Sequence, residues 1–322
     1  MSSLIRVHSG GSFNLFKMQS LRTKNDIPVN GILLLDKGSD MTSNTALQMA
    51  KNVYRAKKAG HTGTLDFLAS GLLPICFGEA TKVSQFILNS DKTYYAEILF
   101  GYQSATGDLN GTIIKDTKQK KFSAFELLSA LARFKGEHKQ IPPMYSAIKI
   151  KGSPLYKLAK EGKNIEREPR QVTIFKISLI EYDYPIAKII VKCSKGTYIR
   201  QLAEDVGLLL NSKACLYRLR RLSSGPFHID NAIKLKTLIS KAKVDDLALA
   251  KLLVSPDLAL LELPRLNLSE DDVIKLNQGQ RVNIKNQTKL GLIRLYDHTG
   301  SFFAVGEASE DGFLKTKRIL NV

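Results

Sequence analysis

The sequence predicts an α+β protein. A large domain carries a mixed, largely antiparallel sheet flanked by helices, and a small β-rich domain follows it. Three observations lead there. Strand-like and helix-like stretches are mixed without a regular βαβ alternation. Hydrophobic residues make up 43% of 322, enough for a sizeable core. A composition shift over residues 251–263 opens a run of short strand-like stretches, punctuated by glycines at 279, 291, 300, 306 and 312.

Residues 1–28 stand apart from the fold. The segment MSSLIRVHSGGSFNLFKMQSLRTK has four basic residues and no acidic one. It reads as a basic extension without fixed structure, either an RNA-attracting tail or a start placed upstream of a true initiator at Met18. A transit peptide is the competing reading.

NGILLLDK then reads as a buried strand, and MTSNTALQMAKNVYRA as a helix with Thr42, Ser43 or Asn44 as its N-cap. A glycine-rich loop, a short apolar strand and a helix near 82–88 come next. In KTYYAEILFG the period is two, placing Tyr94, Ala96, Ile98 and Phe100 on one face. Ser123 and Glu126 have capping-box spacing at the start of SAFELLSALARF. RQVTIFKISLIEYDY and AKIIVKCSKGTY read as two strands. In IRQLAEDVGLLL a helical stripe joins Ile199, Leu202, Ala203, Val206, Leu209 and Leu210. The large domain is expected over 29–250, a linker over 251–263 and the β-rich domain over 264–322.

Lys and Arg number 48 against 30 Asp and Glu, a formal charge of +18. That balance suits a polyanion, nucleic acid before membrane. No apolar run approaches the roughly 20 residues of a membrane helix. The charge is uneven. Residues 264–322 hold 9 basic and 7 acidic residues, whereas 135–171 hold 9 and 4, and 188–221 hold 8 and 2. An RNA-docking face is expected on the large domain, with 135–171 as an RNA-binding insertion. Cys76, Cys193 and Cys215 are too few and too scattered for a disulfide framework. They read as buried free thiols of a reducing compartment, the cytoplasm, and no spacing suggests a metal site.

The stretch with most chemical content is GHTGTLDFLASGLLPICFGEATK, residues 60–82. Gly60, Gly63 and Gly71 permit tight turns and close approach of a ligand. Leu65, Phe67 and Leu68 surround Asp66 with apolar surface. A carboxylate so placed loses hydration and needs a positive or hydrogen-bonding partner to stay ionised. For a lone loop Asp, the commoner job is a helix N-cap or an Asx-turn.

This stretch resembles the catalytic motif of the tRNA pseudouridine synthase B family, which has the form GHTGTLDPLASGLLP. NGILLLDK, TSNTALQ, DKTYYAEILFG, PPMYSAIKIKGSPLYKLAKEG, CSKGTYIRQLAEDVG and LRRLSSGPF resemble that family too, in order and rough spacing. The likeness runs from about residue 29 to 228, and the C-terminal part resembles a PUA domain. The resemblance implies a pseudouridine synthase catalytic domain and a PUA-like RNA-binding domain. It implies isomerisation of a T-loop uridine in tRNA: the N-glycosidic bond breaks, the base turns and a C–C bond forms, with no cofactor and no metal. The expected partner is the tRNA T-arm, without an obligate protein partner, and the expected state is a monomer.

By the same resemblance, Asp66 is the catalytic carboxylate. It attacks the anomeric carbon, attacks the base, or abstracts a ribose proton; these alternatives stay open. Tyr94 matches an active-site tyrosine positioned to stack on an extruded uracil. Arg200 pairs with the Asp66 carboxylate. Tyr198 packs on sugar or base, Lys37 supports the pocket, and His61 fills the gap left by flipped bases. Lys149 and Lys151, with Lys157, are candidates for phosphate contacts. Two positions depart from the family: Phe67 and Gly38 stand where prolines are usual. Phe67 leaves open a rival, a tRNA-binding folding chaperone with impaired catalysis. A guide-RNA-dependent synthase is a further alternative.

Overall fold

The computed structural model describes residues 29–116, 121–150, 152–242, 246–284 and 290–320. The basic extension over 1–28 and Lys151 lie outside the described residues. One eleven-stranded sheet dominates. From edge to edge its main strands are Ile233–Lys234, Gly31–Lys37, Ser70–Phe77, Ala214–Ser224, Lys92–Phe100, Ile186–Cys193, Arg170–Asp183 and Gly136–Gln140. Two ladders are parallel, Gly31–Lys37 with Ile233–Lys234 and Ser70–Phe77 with Ala214–Ser224; the others are antiparallel.

The sequence pattern explains the layering. Gly31–Lys37 is buried at every position, so it shows a continuous apolar run rather than an alternation. Lys92–Phe100 turns Ala96, Ile98 and Phe100 into the core, and Tyr95 to the other face, where its hydroxyl donates to Glu97 at 2.9 Å. Helix Ser43–Tyr54 is capped by Thr42, whose side chain accepts from the Thr45 amide at 2.9 Å. Helix Ala124–Ala132 has the expected capping box between Ser123 and Glu126. All three cysteines are buried and free.

Helix Ile199–Leu209 buries Ile199, Leu202, Ala203 and Val206, and Leu210, its C-cap, is half-buried against the same core. Of the predicted stripe Leu209 alone is exposed; the chain then turns at Asn211 in left-handed backbone, φ 51°.

The C-terminal sheet has the order Arg265–Asn267, Gly291–Tyr296, Phe302–Ala308, Phe313–Ile319, Val282–Asn283. It packs against the back of the large sheet: Tyr296, Phe302, Val305 and Leu320 join Ile32, Leu72 and Cys76 in one apolar cluster. The stretch before it is built into this contact. Leu253–Val254 adds a strand beside Gly31–Lys37, and Ala259 and Leu260 fill the cluster. Lys82, at the end of the glycine-rich motif, donates to the Ile319 carbonyl at 2.7 Å. Among the described residues no helix is long and apolar enough to cross a membrane.

Candidate active site

The loop between strands Ala59–His61 and Ser70–Phe77 carries Asp66. Its shape is fixed from several sides. Ser43, in the first turn of helix Ser43–Tyr54, donates to the Leu65 carbonyl at 3.0 Å and accepts from the Leu65 amide at 2.8 Å. Thr62 gives both its amide and its hydroxyl to the Pro74 carbonyl, at 3.0 and 3.3 Å. Leu65 and Ala69 are buried on either side of Asp66. The backbone is therefore locked while the carboxylate projects from it.

Arg200 meets that carboxylate from helix Ile199–Leu209. Its Nε lies 2.9 Å from Asp66 Oδ2. The Nε–H has no acceptor in line, so charge holds the pair more than a directed hydrogen bond does. The guanidinium is 4% exposed, and its remaining nitrogens are tied to backbone, Nη1 to the Thr106 carbonyl at 2.7 Å and Nη2 to that of Tyr145 at 2.8 Å. It therefore cannot wrap around the carboxylate. Asp66 keeps one oxygen uncommitted, and its side chain is 38% exposed because it faces a cavity.

The cavity measures about 270 Å³ and is lined by Asp66, Tyr94, Tyr198, Arg200, Leu219 and Arg221, among others. That is the scale of one nucleoside rather than of a large ligand. Burial pushes the Asp66 carboxyl above its usual value of 3.8, and the Arg200 charge opposes this most strongly. Burial also pushes the Tyr94 phenol up, and the Arg221 charge opposes it. Tyr198 is held by a double contact with Gln140, which accepts from its amide at 2.8 Å and donates to its carbonyl at 3.1 Å. Its phenol is pushed up by burial as well. A carboxylate with an open oxygen, two neutral phenols and a fixed guanidinium can hold a base and react at its sugar bond.

Asp66, Tyr94, Tyr198 and Arg200 thus meet in one cavity. Asp66 caps no described helix, so the ordinary job of a loop aspartate does not explain it. Lys37 lies outside the cavity wall: it is buried, donates to the Gly38 and Met41 carbonyls at 2.9 and 2.7 Å, and burial lowers its pKa to about 8. His61 also stays off the wall, half-buried, with burial and then the Arg221 charge pushing its pKa down. Lys149 and Lys157 are exposed and away from the cavity. Phe67 is 47% exposed; its carbonyl accepts from the Asp40 amide at 3.0 Å and its ring does not line the cavity.

Sequence reading missed Arg221 and Lys92. Lys92 closes helix Ser84–Asn89, donating to the Ile87, Leu88 and Ser90 carbonyls at 3.0, 2.8 and 2.5 Å. Arg221 had a signal in period two: of the adjacent pair Arg220 and Arg221, one must share the inward face of Leu219.

Comparison with known proteins places this arrangement in a class, the pseudouridine synthases. The profile of the TruB family pseudouridylate synthase N-terminal domain matches residues 51–199, and that of the pseudouridine synthase II TruB C-terminal domain matches 264–320. The tRNA pseudouridine synthase B of Pseudomonas fluorescens (strain Pf-5) is 44% identical over 293 residues, covering 91% of this chain and 96% of that protein. The Coxiella burnetii protein of the same name is 43% identical over 294 residues, with 91% and 95% covered. The chain belongs to the TruB family of pseudouridine synthases, which are isomerases. Two solved structures share the fold. A Cbf5-Nop10-Gar1 complex gives a TM-score of 0.71 at 24% identity, covering 90% of this chain and 84% of that one. An H/ACA RNP bound to a substrate RNA containing 2'-deoxyuridine gives 0.69 at 21%, covering 91% and 85%.

Proposed function

We propose that this chain converts a T-loop uridine of tRNA to pseudouridine, with Asp66 as its catalytic carboxylate. The observation that carries this reading is the Asp66–Arg200 contact at 2.9 Å, which leaves one carboxylate oxygen open to a cavity walled by Tyr94 and Tyr198. The names of relatives 44% and 43% identical support tRNA as the substrate, and the +18 charge fits it.

The reaction breaks the bond from ribose C1′ to uracil N1, turns the base and joins C1′ to C5. The C5 proton leaves, and N1 gains one, so no water is consumed. The target base must leave the folded loop before its far side can react. Attack on C1′, attack on the base and removal of a ribose proton all need an ionised Asp66. Arg200 supplies the charge that keeps it so, opposing burial. Tyr94, with a phenol pushed up by burial, stays protonated at neutral pH and serves as a stacking face and hydrogen-bond donor. The chaperone reading rested on Phe67, and that ring stays out of the cavity while Asp66 and Arg200 remain in contact.

The test is to incubate the purified protein alone with unmodified tRNA and assay pseudouridine. Conversion of one T-loop uridine, without guide RNA or other protein, is expected. No conversion, with tRNA bound, would overturn the reading.

A further inference from the structure

Arg221 is a cation buried to 1% exposure with no carboxylate paired to it among the described residues. Such a group is costly unless its donors are well used. Its register shows where they go. In the sheet Arg221 lies between Gly71 on one side and Tyr94 on the other. Its Nε donates to the Leu72 carbonyl at 2.7 Å and its Nη2 to the Gly63 carbonyl at 3.0 Å. Tyr94 is its direct cross-strand partner, and the Arg221 charge bears on the Tyr94 phenol. It thus ties the chain three residues before Asp66 to the chain six residues after it, at the strand position opposite the tyrosine.

Two motif glycines are shaped around the same residue, one by its backbone and one by its side chain. At Gly71, with φ 104°, an added Cβ would come within 2.3 Å of the Arg221 carbonyl oxygen. At Gly63, with φ 120°, it would come to 3.4 Å from Arg221 Nη1. Both positions favour glycine by backbone conformation, and at Gly71 the strand approach alone excludes a side chain. The glycines thus let the loop close onto Arg221.

We propose that Arg221 is the positioning residue of the active site: it sets the Gly63–Leu72 loop, and with it Asp66, relative to Tyr94. This rests on the reading of Asp66 and Tyr94 given above. Helix Ile199–Leu209 supplies the guanidinium that pairs with the carboxylate, and Arg221 supplies the one that places it. Arg220, next in the chain, has a different task, pairing with Asp36.

The test compares the parent with Arg221→Met, Arg221→Lys and Gly63→Ala, using amide hydrogen exchange and single-turnover conversion of unmodified tRNA. In Arg221→Met, amides over 62–72 should exchange at least about tenfold faster, while those over 96–100 stay unchanged. Conversion at saturating protein should fall about 100-fold, the scale of an ångström of misplacement, with tRNA Kd within about threefold. Arg221→Lys should recover part of the rate, since an ammonium keeps the charge but not the fork. In a Tyr94→Phe background the Arg221→Met loss should shrink by about threefold or more, because the phenol opposite Arg221 across the strands is already gone. If Arg221→Met does not fold, Gly63→Ala perturbs the same contact from the loop and should show the same exchange signature. Unchanged exchange over 62–72 would overturn the proposal whatever the activity does. Faster loop exchange with a parent that makes no pseudouridine would sink the functional reading and leave the positioning role standing.

Discussion

The large domain holds two aspartate–arginine pairs, one within the sheet and one between a loop and a helix, and they are built differently. Asp36 and Arg220 form a fork: Nη1 donates to Oδ1 at 3.0 Å and Nη2 to Oδ2 at 2.9 Å, so both carboxylate oxygens are satisfied. Asp66 and Arg200 touch through one nitrogen and one oxygen, because backbone carbonyls occupy the other nitrogens of the arginine. The first pair spends its full hydrogen-bonding capacity on the fold. The second holds a carboxylate charged and oriented while leaving an oxygen for something else. Charge and residue type are the same in both; the division of donors separates a fastener from a carboxylate with an oxygen left open, the one proposed to react.

The largest expected effect comes from making one substitution in both pairs. Asp66→Asn should lower single-turnover conversion by about 1,000-fold or more, with tRNA affinity within a few-fold. Asp36→Asn should cost about 1 kcal/mol of stability, since Arg220 is 37% exposed, and leave the rate within about twofold. A comparable rate loss in both would erase the distinction. Next in size is Arg200→Met, measured by the same conversion assay and by urea unfolding. It should slow conversion by about 100-fold and destabilise by about 2 kcal/mol, less than a fully buried pair because Asp66 opens to the cavity.

Titration sharpens the contrast. Burial raises the Asp66 pKa above 3.8. A carboxyl raised in the folded state contributes stability that is full below its unfolded pKa and lost as pH rises through its folded one. Urea unfolding should therefore show Asp66→Asn gaining on the parent as pH rises above 3.8. The parent's rate should rise over the same window, as the reactive carboxylate forms. The smallest effect is expected at Phe67. Its ring is exposed and does not line the cavity, so Phe67→Ala should keep conversion within about twofold.

Much of this was legible in the sequence, for local reasons. Period two in KTYYAEILFG predicted which tyrosine faces inward, and Tyr95 does pair outward with Glu97. The odd placement of Asp66 among glycines and apolar residues marked a carboxylate needing a partner, and the family pattern pointed to Arg200. What stayed hidden depends on strands distant in the chain. Period two from Leu219 turns Arg221 rather than Arg220 inward, but its place between Gly71 and Tyr94 comes through ladders spanning more than a hundred residues, which no local pattern reveals. The same holds for Gln140, whose side chain clamps the backbone of Tyr198. Lys37 and His61 carry family positions but not cavity positions: one fastens a turn, the other stops at the end of a short strand. The helix stripe missed at Leu209 alone, which is exposed in the last turn while Leu210 still packs on the core.

The most direct test is a co-crystal with a T-arm stem-loop carrying its unmodified uridine, using the Asp66→Asn chain. The uridine should be turned out of its loop, with the base against Tyr94 and the residue 66 side chain nearest the glycosidic carbon of any polar group. A target nucleotide seated elsewhere, with the 270 Å³ cavity holding no base, would contradict the assignment.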